Sequence, residues 1–304
     1  DLLPEGQLAV DSAAVIFSQL VDTNAKATRY QEELAAAEEL QARYLVEQNH
    51  SVDADPKMQA VLNRFDRLAQ EVPESSDYIV RRALAQVLHA QILSQKKEIA
   101  AAETAFRSAI QGLRELTEAV PQSLLANQSL AQALTEYAAW LDDQDRKDDS
   151  SQQFAAATQA YNSGLMISET PELCHAYARA IAERTTVASA ELPPAIELAK
   201  SALESAPSNP NYFWTYAWLL CLNDRAIDCR KIIAKEDPSL LTPRNQLLLA
   251  LLSRLEGNSL PAKEHLENGE RLANESRPGN LQLQRLIKRL KGQVAKAGEV
   301  NDAK

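Results

Sequence analysis

Apolar residues recur at three- and four-residue spacing along nearly the whole chain, and short polar breaks containing Pro, Gly, Asn or Asp interrupt them. That period predicts amphipathic helices. The first runs from Pro4 to about Val21, with Leu8, Ala9, Ala13, Ile16, Phe17 and Leu20 on one side. A second covers Thr23 to Asn49, and Ser51 to Pro56 reads as the first clear turn, with Asp55-Pro56 opening the next helix. Ser76-Asp77 caps a helix carrying Ile79, Leu84, Val87, Leu88 and Ile92. The helix from about Lys96 to Val120 is longer than its neighbours. After Pro121, a helix bearing Leu130, Leu134, Tyr137 and Trp140 ends in the polar run Asp142 to Asp149, read as an insertion loop; Ala188 to Pro194 reads as a second one. The last helix, about Asn280 to Ala295, places Leu283, Leu286, Ile287, Leu290 and Val294 on one face and Arg285, Lys288, Arg289 and Lys291 on the other.

Superimposed on this helical period is a longer one. Phe213-x3-Ala217-x11-Cys229-x3-Ile233 and Gln246-x3-Ala250-x6-Gly257-x4-Ala262-x3-Leu266 are one helix-turn-helix pattern written twice. Ala217 with Cys229, and Ala250 with Ala262, supply the small residues that let two helices cross closely. Gly257 and Asp224 stand where the chain must turn, and both residue types tolerate positive φ. Earlier copies read Ala195-x3-Ala199-x2-Ala202-x4-Pro207, Ala157-x3-Tyr161-x2-Gly164, Ala102-x3-Phe106-x2-Ala109 and Val61-x3-Phe65-x2-Leu68-x4-Pro73. Ala90 to Ala102 has the undistorted spacing, whereas Ala138 to Ala157 and Ala178 to Ala195 are longer and imply insertions.

These residues resemble the tetratricopeptide repeat, a two-helix unit of about 34 residues. The stretches Ala102 to Leu165 and Ala195 to Leu266 are similar to arrays in planctomycete-type bacterial proteins, often tails behind serine/threonine kinase domains. The resemblance implies an all-α, right-handed superhelical solenoid of antiparallel helix pairs. Residues 1–22 would be an N-terminal helix or cap, 23–274 six hairpins, and 275–304 a C-terminal capping helix and tail. Because a solenoid unit contacts only its neighbours, the expected organisation is one superhelix rather than two domains.

Composition restricts partners more than it names them. A net charge of −10 and a pI near 5.1 argue against broad nucleic-acid or anionic-membrane binding, which need a positive field. The longest apolar run, Leu247 to Leu252, is too short to span a bilayer. Cys174, Cys221 and Cys229 lack metal-ligand spacing and point to a reducing, cytoplasmic setting. Asp1 in place of an initiating Met reads as a cut from a longer chain.

Catalytic patterns are missing from the sequence. His50, His89, His175 and His265 are scattered, and Cys174-His175 are helix neighbours that point apart. An enzyme would need a pocket joining Cys174, His175 and a carboxylate such as Glu172. The Asp142–Asp149 run lacks the central Gly and distant Glu of a calcium loop. No cofactor or metal is therefore expected, and the chain reads as a non-catalytic scaffold for a protein or peptide segment in a groove. A regulatory or targeting tail of a larger bacterial enzyme, such as a kinase, is the alternative. The groove residues are Trp214 and Trp218, four apart on one helical face, with His175 and Arg179 from the previous repeat and Leu247 and Leu251 from the next. Burial of both indoles in a tightly wound superhelix is the competing reading. The clamp positions used by chaperone-binding arrays hold these same residues instead of Lys, Asn and Arg, so chaperone-type acidic C-termini are not expected as ligands.

Overall fold

The computed structural model describes residues 3–24, 26–184, 186–234 and 242–301. It is all-α, with 14 helices, one short 3-10 segment and no strand among the described residues. Successive helices pair antiparallel into hairpins, and the chain divides into two compact units, Asp1–Ile167 and Ser168–Lys304.

The first unit contains α1 (Leu3–Thr23), α2 (Thr28–Glu47), α3 (Ser51–Glu71), α4 (Ser76–Gln95), α5 (Ile99–Ala119), α6 (Leu124–Asp143) and α7 (Lys147–Ile167). First helices of hairpins begin at 28, 76 and 124 and second helices at 51, 99 and 147, so the repeat is 48 residues long. Its crossing pairs are Ala42 with Ala54, Ala90 with Ala102, and Ala138 with Ser150, always twelve residues apart and all buried. Ser150 Oγ donates to the Ala138 carbonyl at 2.8 Å, so the hydroxyl is satisfied at the contact. The expected pairing of Ala138 with Ala157 is thus corrected. Ala157 lies seven residues further along α7, two turns on and on the same face, which is why it mimics the crossing residue. Val61-x3-Phe65 is misplaced by the same step, since Ala54 and Met58 occupy the register of Ala102 and Phe106.

Asp142–Asp149 is not an insertion loop but two helix ends joined by the tight Gln144–Arg146 turn, and Ser51–Pro56 is helical. Asp142 and Asp143 close α6, Asp148 and Asp149 occupy the first turn of α7, where carboxylates suit the positive end of the helix, and Pro56 lies inside α3. The turns between paired helices are tight and alike. Asn49, Lys97, Asp145, Asp224 and Gly257 have φ of 63°, 68°, 60°, 55° and 79°, each five residues before the second helix's crossing residue. In each, the following amide bonds back to a carbonyl five residues earlier, as His50 N does to Leu45 O at 2.8 Å and Arg225 N to Leu220 O at 2.9 Å. Proline marks the turns between hairpins: Val72-Pro73-Glu74-Ser75, Val120-Pro121-Gln122-Ser123, Ala206-Pro207-Ser208-Asn209 and Arg277-Pro278-Gly279-Asn280. Ser123, Asn209 and Asn280 then cap the next helix by accepting backbone N–H bonds.

Helix α1 has the register of a second helix. It lies 48 residues before α3, and Gly6, Val10, Ala13, Phe17 and Leu20 match Ala54, Met58, Val61, Phe65 and Leu68. Those α3 residues are buried, whereas Val10, Ala13, Phe17 and Leu20 are only half-buried and Leu8, Val15 and Ile16 are 67%, 58% and 55% exposed.

The second unit contains α8 (Pro171–Ala182), α9 (Leu192–Ser205), α10 (Pro210–Leu222), α11 (Ala226–Ile233), α12 (Pro243–Leu255), α13 (Ser259–Ser276) and α14 (Leu281–Asn301). Ala217 with Cys229 and Ala250 with Ala262 keep the twelve-residue crossing, but the period here is 33, in part because α10 and α12 have 13 residues where α2, α4 and α6 have 20. The link between α8 and α9 is longer, with a 3-10 segment at Ser189–Glu191 and α9 already begun at Leu192. Helix α14 buries Leu283, Leu286, Ile287 and Leu290 and packs on α12 and α13.

Candidate functional site

In the second unit, α8, α10, α12 and α14 pack side by side, and the residues expected to line a groove meet there. Trp214 and Trp218 stack with ring centroids 4.9 Å apart at 22°. They are 2% and 0% exposed, and Leu247 and Leu251 are fully buried. Trp218 Nε1 donates to Ala182 O at 3.2 Å and Trp214 Nε1 to Arg244 O at 3.1 Å, which satisfies both indoles inside the unit. The expectation of an open aromatic groove is therefore corrected: these four side chains are core. The cause is the close winding of the first helices, seen most directly in Arg289 of α14. Its Nη1 reaches the end of α8 and donates to Ala182 O at 3.1 Å and to Arg184 O. Burial, and then the charge of Arg254, lower the Arg289 pKa to about 10.

His175 and Arg179 form a partly exposed rim. His175 Nε2 lies 3.1 Å from Thr215 Oγ1, and its ring packs on Tyr212 with centroids 4.5 Å apart. Burial, then the Arg179 charge, push its pKa down to about 4, so the ring is neutral at pH 7. Arg179 and Arg244 each lie 4.0 Å from Glu183, and the Arg244 guanidinium sits 5.0 Å above the Trp214 ring.

Cysteine chemistry is not assembled. Cys174 Sγ points to Glu169 Oε1 at 3.8 Å rather than to His175, and burial, followed by the Glu169 charge, pushes the thiol up to about 11. Cys221 and Cys229 are free, buried thiols in contact at 2.7 Å, and Cys229 also meets the Ala217 carbonyl at 3.3 Å. That mutual bond and burial raise the Cys221 pKa, the opposite of an activated thiolate. Among the described residues no three His, Cys, Asp or Glu side chains are grouped to hold a metal, and no helix is long and apolar enough to cross a membrane.

The first unit carries a polar series that the shorter assumed period concealed. Gln41, His89 and Tyr137 stand 48 residues apart on successive first helices. Each meets a carboxylate of the preceding second helix: Asp11 at 2.7 Å, Asp55 at 2.9 Å and Glu103 at 2.9 Å. Burial alone would raise Asp55 and Glu103. The hydrogen bonds from Lys96 and His89, and from Arg146, Tyr137 and Arg107, outweigh it and hold both below the usual carboxylate range. Beside Glu103 a cleft of about 390 Å³ opens between α5 and α7 over the floor of α6, with Arg107, Arg114 and Arg146 on its walls. Sequence reasoning missed these arginines; their signal is a change of charge at 48-residue spacing.

No family model matches the sequence, and no curated protein pairs with it by sequence similarity. The solved structures of similar fold include three tetratricopeptide-containing proteins, each at 16% identity. The likeness is one of fold alone. PilW, a widely conserved type IV pilus biogenesis factor, matches with a TM-score of 0.44 over 84% of this chain and 98% of its own. PilF of Pseudomonas aeruginosa gives 0.40 over 84% and 96%, and yeast Tom70 gives 0.41 over 94% and 60%. At those scores the comparison carries no argument about partners.

Proposed function

We propose that the chain is a non-catalytic protein-interaction scaffold whose binding surface is the first-helix face of the first unit. The observation that carries this reading is the contrast between the units. In the second, the first-helix face is filled by Trp214, Trp218, Leu247 and Leu251. In the first, α2, α4 and α6 keep a mixed outward stripe. Leu40 of α2 and Leu125 of α6 are each 45% exposed, amid Arg43, Gln91, Gln132 and Glu136. In the 48-residue register Leu125 corresponds to Arg29, three turns before Leu40, so both leucines lie on one stripe. Apolar anchors rimmed by polar groups suit a protein segment better than a small substrate.

The test is saturable capture of a protein partner by the immobilised chain, compared with Leu40→Ser/Leu125→Ser. Both positions are exposed, so the melting temperature should stay within about 2 °C while capture falls at least about tenfold. Undiminished capture by the double variant sinks the assignment of the face. Failure to find any saturable protein partner sinks the scaffold reading itself.

A further inference from the structure

The cleft between α5 and α7 departs from the repeat that built it. Its walls place Arg107 and Arg114 two turns apart on α5, and Arg146 on the turn into α7. One repeat earlier the same positions hold Gln59, Asp66 and Glu98. The charge of the three positions thus changes from −2 to +3, while the crossing residues and the hydrogen-bonded carboxylate, Asp55 and then Glu103, are retained. Arg107 and Arg146 take over from Lys96 in satisfying the carboxylate, Asp55 and then Glu103, but Arg114 has no such duty, because the earlier repeat folds with Asp66 in its place.

The cations are also incompletely neutralised. Glu103 Oε1 accepts from Arg107 at 2.7 Å, from Arg146 at 3.0 Å and from the Tyr137 hydroxyl at 2.9 Å, so two guanidiniums and a phenol share one oxygen. Asp149 takes the other side of Arg146 at 2.7 Å. Arg114 has no carboxylate within ion-pair distance among the described residues. In the earlier repeat Asp66 is held by Arg82, but the position that follows Arg82 by one repeat is Leu130, which cannot pair with anything. Glu115 lies nearby but accepts from Gln111 at 2.7 Å. Gln152 and Gln153 of α7 face the arginines across the opening and add amide donors.

Building on the scaffold reading, we infer that this cleft binds an acidic segment of a protein partner, with Asp or Glu side chains set between Arg114 and the Arg107–Arg146 pair. The cleft is open and about 390 Å³ in volume, which admits two or three side chains rather than a folded domain. It lies on second helices, away from the first-helix stripe, so the two surfaces can be tested apart. Planar carboxylates match the forked guanidinium donors, and the negative net charge of the chain elsewhere disfavours acidic segments at other places.

The experiment measures binding of a fluorescent hexaglutamate peptide, amidated at its C-terminus, to the full chain by anisotropy at low ionic strength. Saturable binding is expected, weakened about tenfold or more by Arg114→Asp, the residue that the preceding repeat carries there, and weakened further in 0.5 M salt, roughly as screening requires. Arg271→Asp, an equal charge change on the exposed face of α13, should leave the affinity unchanged. Absence of saturable binding, equal losses in both variants, or Arg114-dependent binding of tripolyphosphate without binding of the peptide each overturns the inference. Loss of partner capture in Leu40→Ser/Leu125→Ser with no peptide binding would leave the scaffold reading standing without this site.

Discussion

Trp214 and Trp218 bury two stacked indoles and two satisfied N–H groups, so truncating either removes packing and one indole hydrogen bond. Trp218→Ala and Trp214→Ala should each cost about 3–5 kcal/mol in denaturant unfolding, against less than about 1 kcal/mol for an exposed aromatic. His175 adds a pH dependence. Its ordinary pKa of 6.5 falls to about 4 in the fold, so between those values the unfolded chain binds a proton that the folded chain refuses. The His175 contribution to stability should therefore fall as pH drops from 6.5 to about 4, by on the order of 2 kcal/mol once its partial exposure is allowed for. A His175→Gln variant with an unchanged pH slope would refute that origin. The sequence placed these side chains correctly along the helix, one turn apart on the first-helix face. It could not show that the face closes, because closure depends on Arg289 and Ala182, which are 107 residues apart.

At the scale of helices, five turns with one geometry set the hairpins. Gly257 and Asp224 were legible as turn residues because their types favour positive φ. Lys97 was not, because lysine carries no such signature and only its place five residues before Ala102 reveals it. The left-handed conformation strains a residue with a Cβ, so Lys97→Gly should raise stability by about 0.5–1 kcal/mol and Gly257→Ala should lower it by about 1 kcal/mol or more, both read from thermal melting. The all-α hairpin fold was legible from periodicity alone. The 48-residue period was not, since a slip of two turns returns the same helix face and makes Ala157 look like the partner of Ala138. The basic cleft was hidden by that slip: Arg107, Arg114 and Arg146 stand out only when aligned with Gln59, Asp66 and Glu98.

At the scale of the whole molecule, the two units should respond differently to partial unfolding. In the first, contacts run between neighbouring hairpins, and α1 has its second-helix face half uncovered. Amide exchange in α1 should be faster than in α5 by at least about tenfold, graded along the array. The second unit is tied differently. Arg289 joins the last helix to the end of α8, and Trp218 donates to the same Ala182 carbonyl from between them. A chain of links opens from either end, one link at a time, but a clasped loop must release its clasp first. The Arg289 contact gives the second unit such a clasp: its helices should lose protection together, in a single step with a slow opening rate, and Arg289→Met should restore end-to-end fraying by letting α14 exchange ahead of α10.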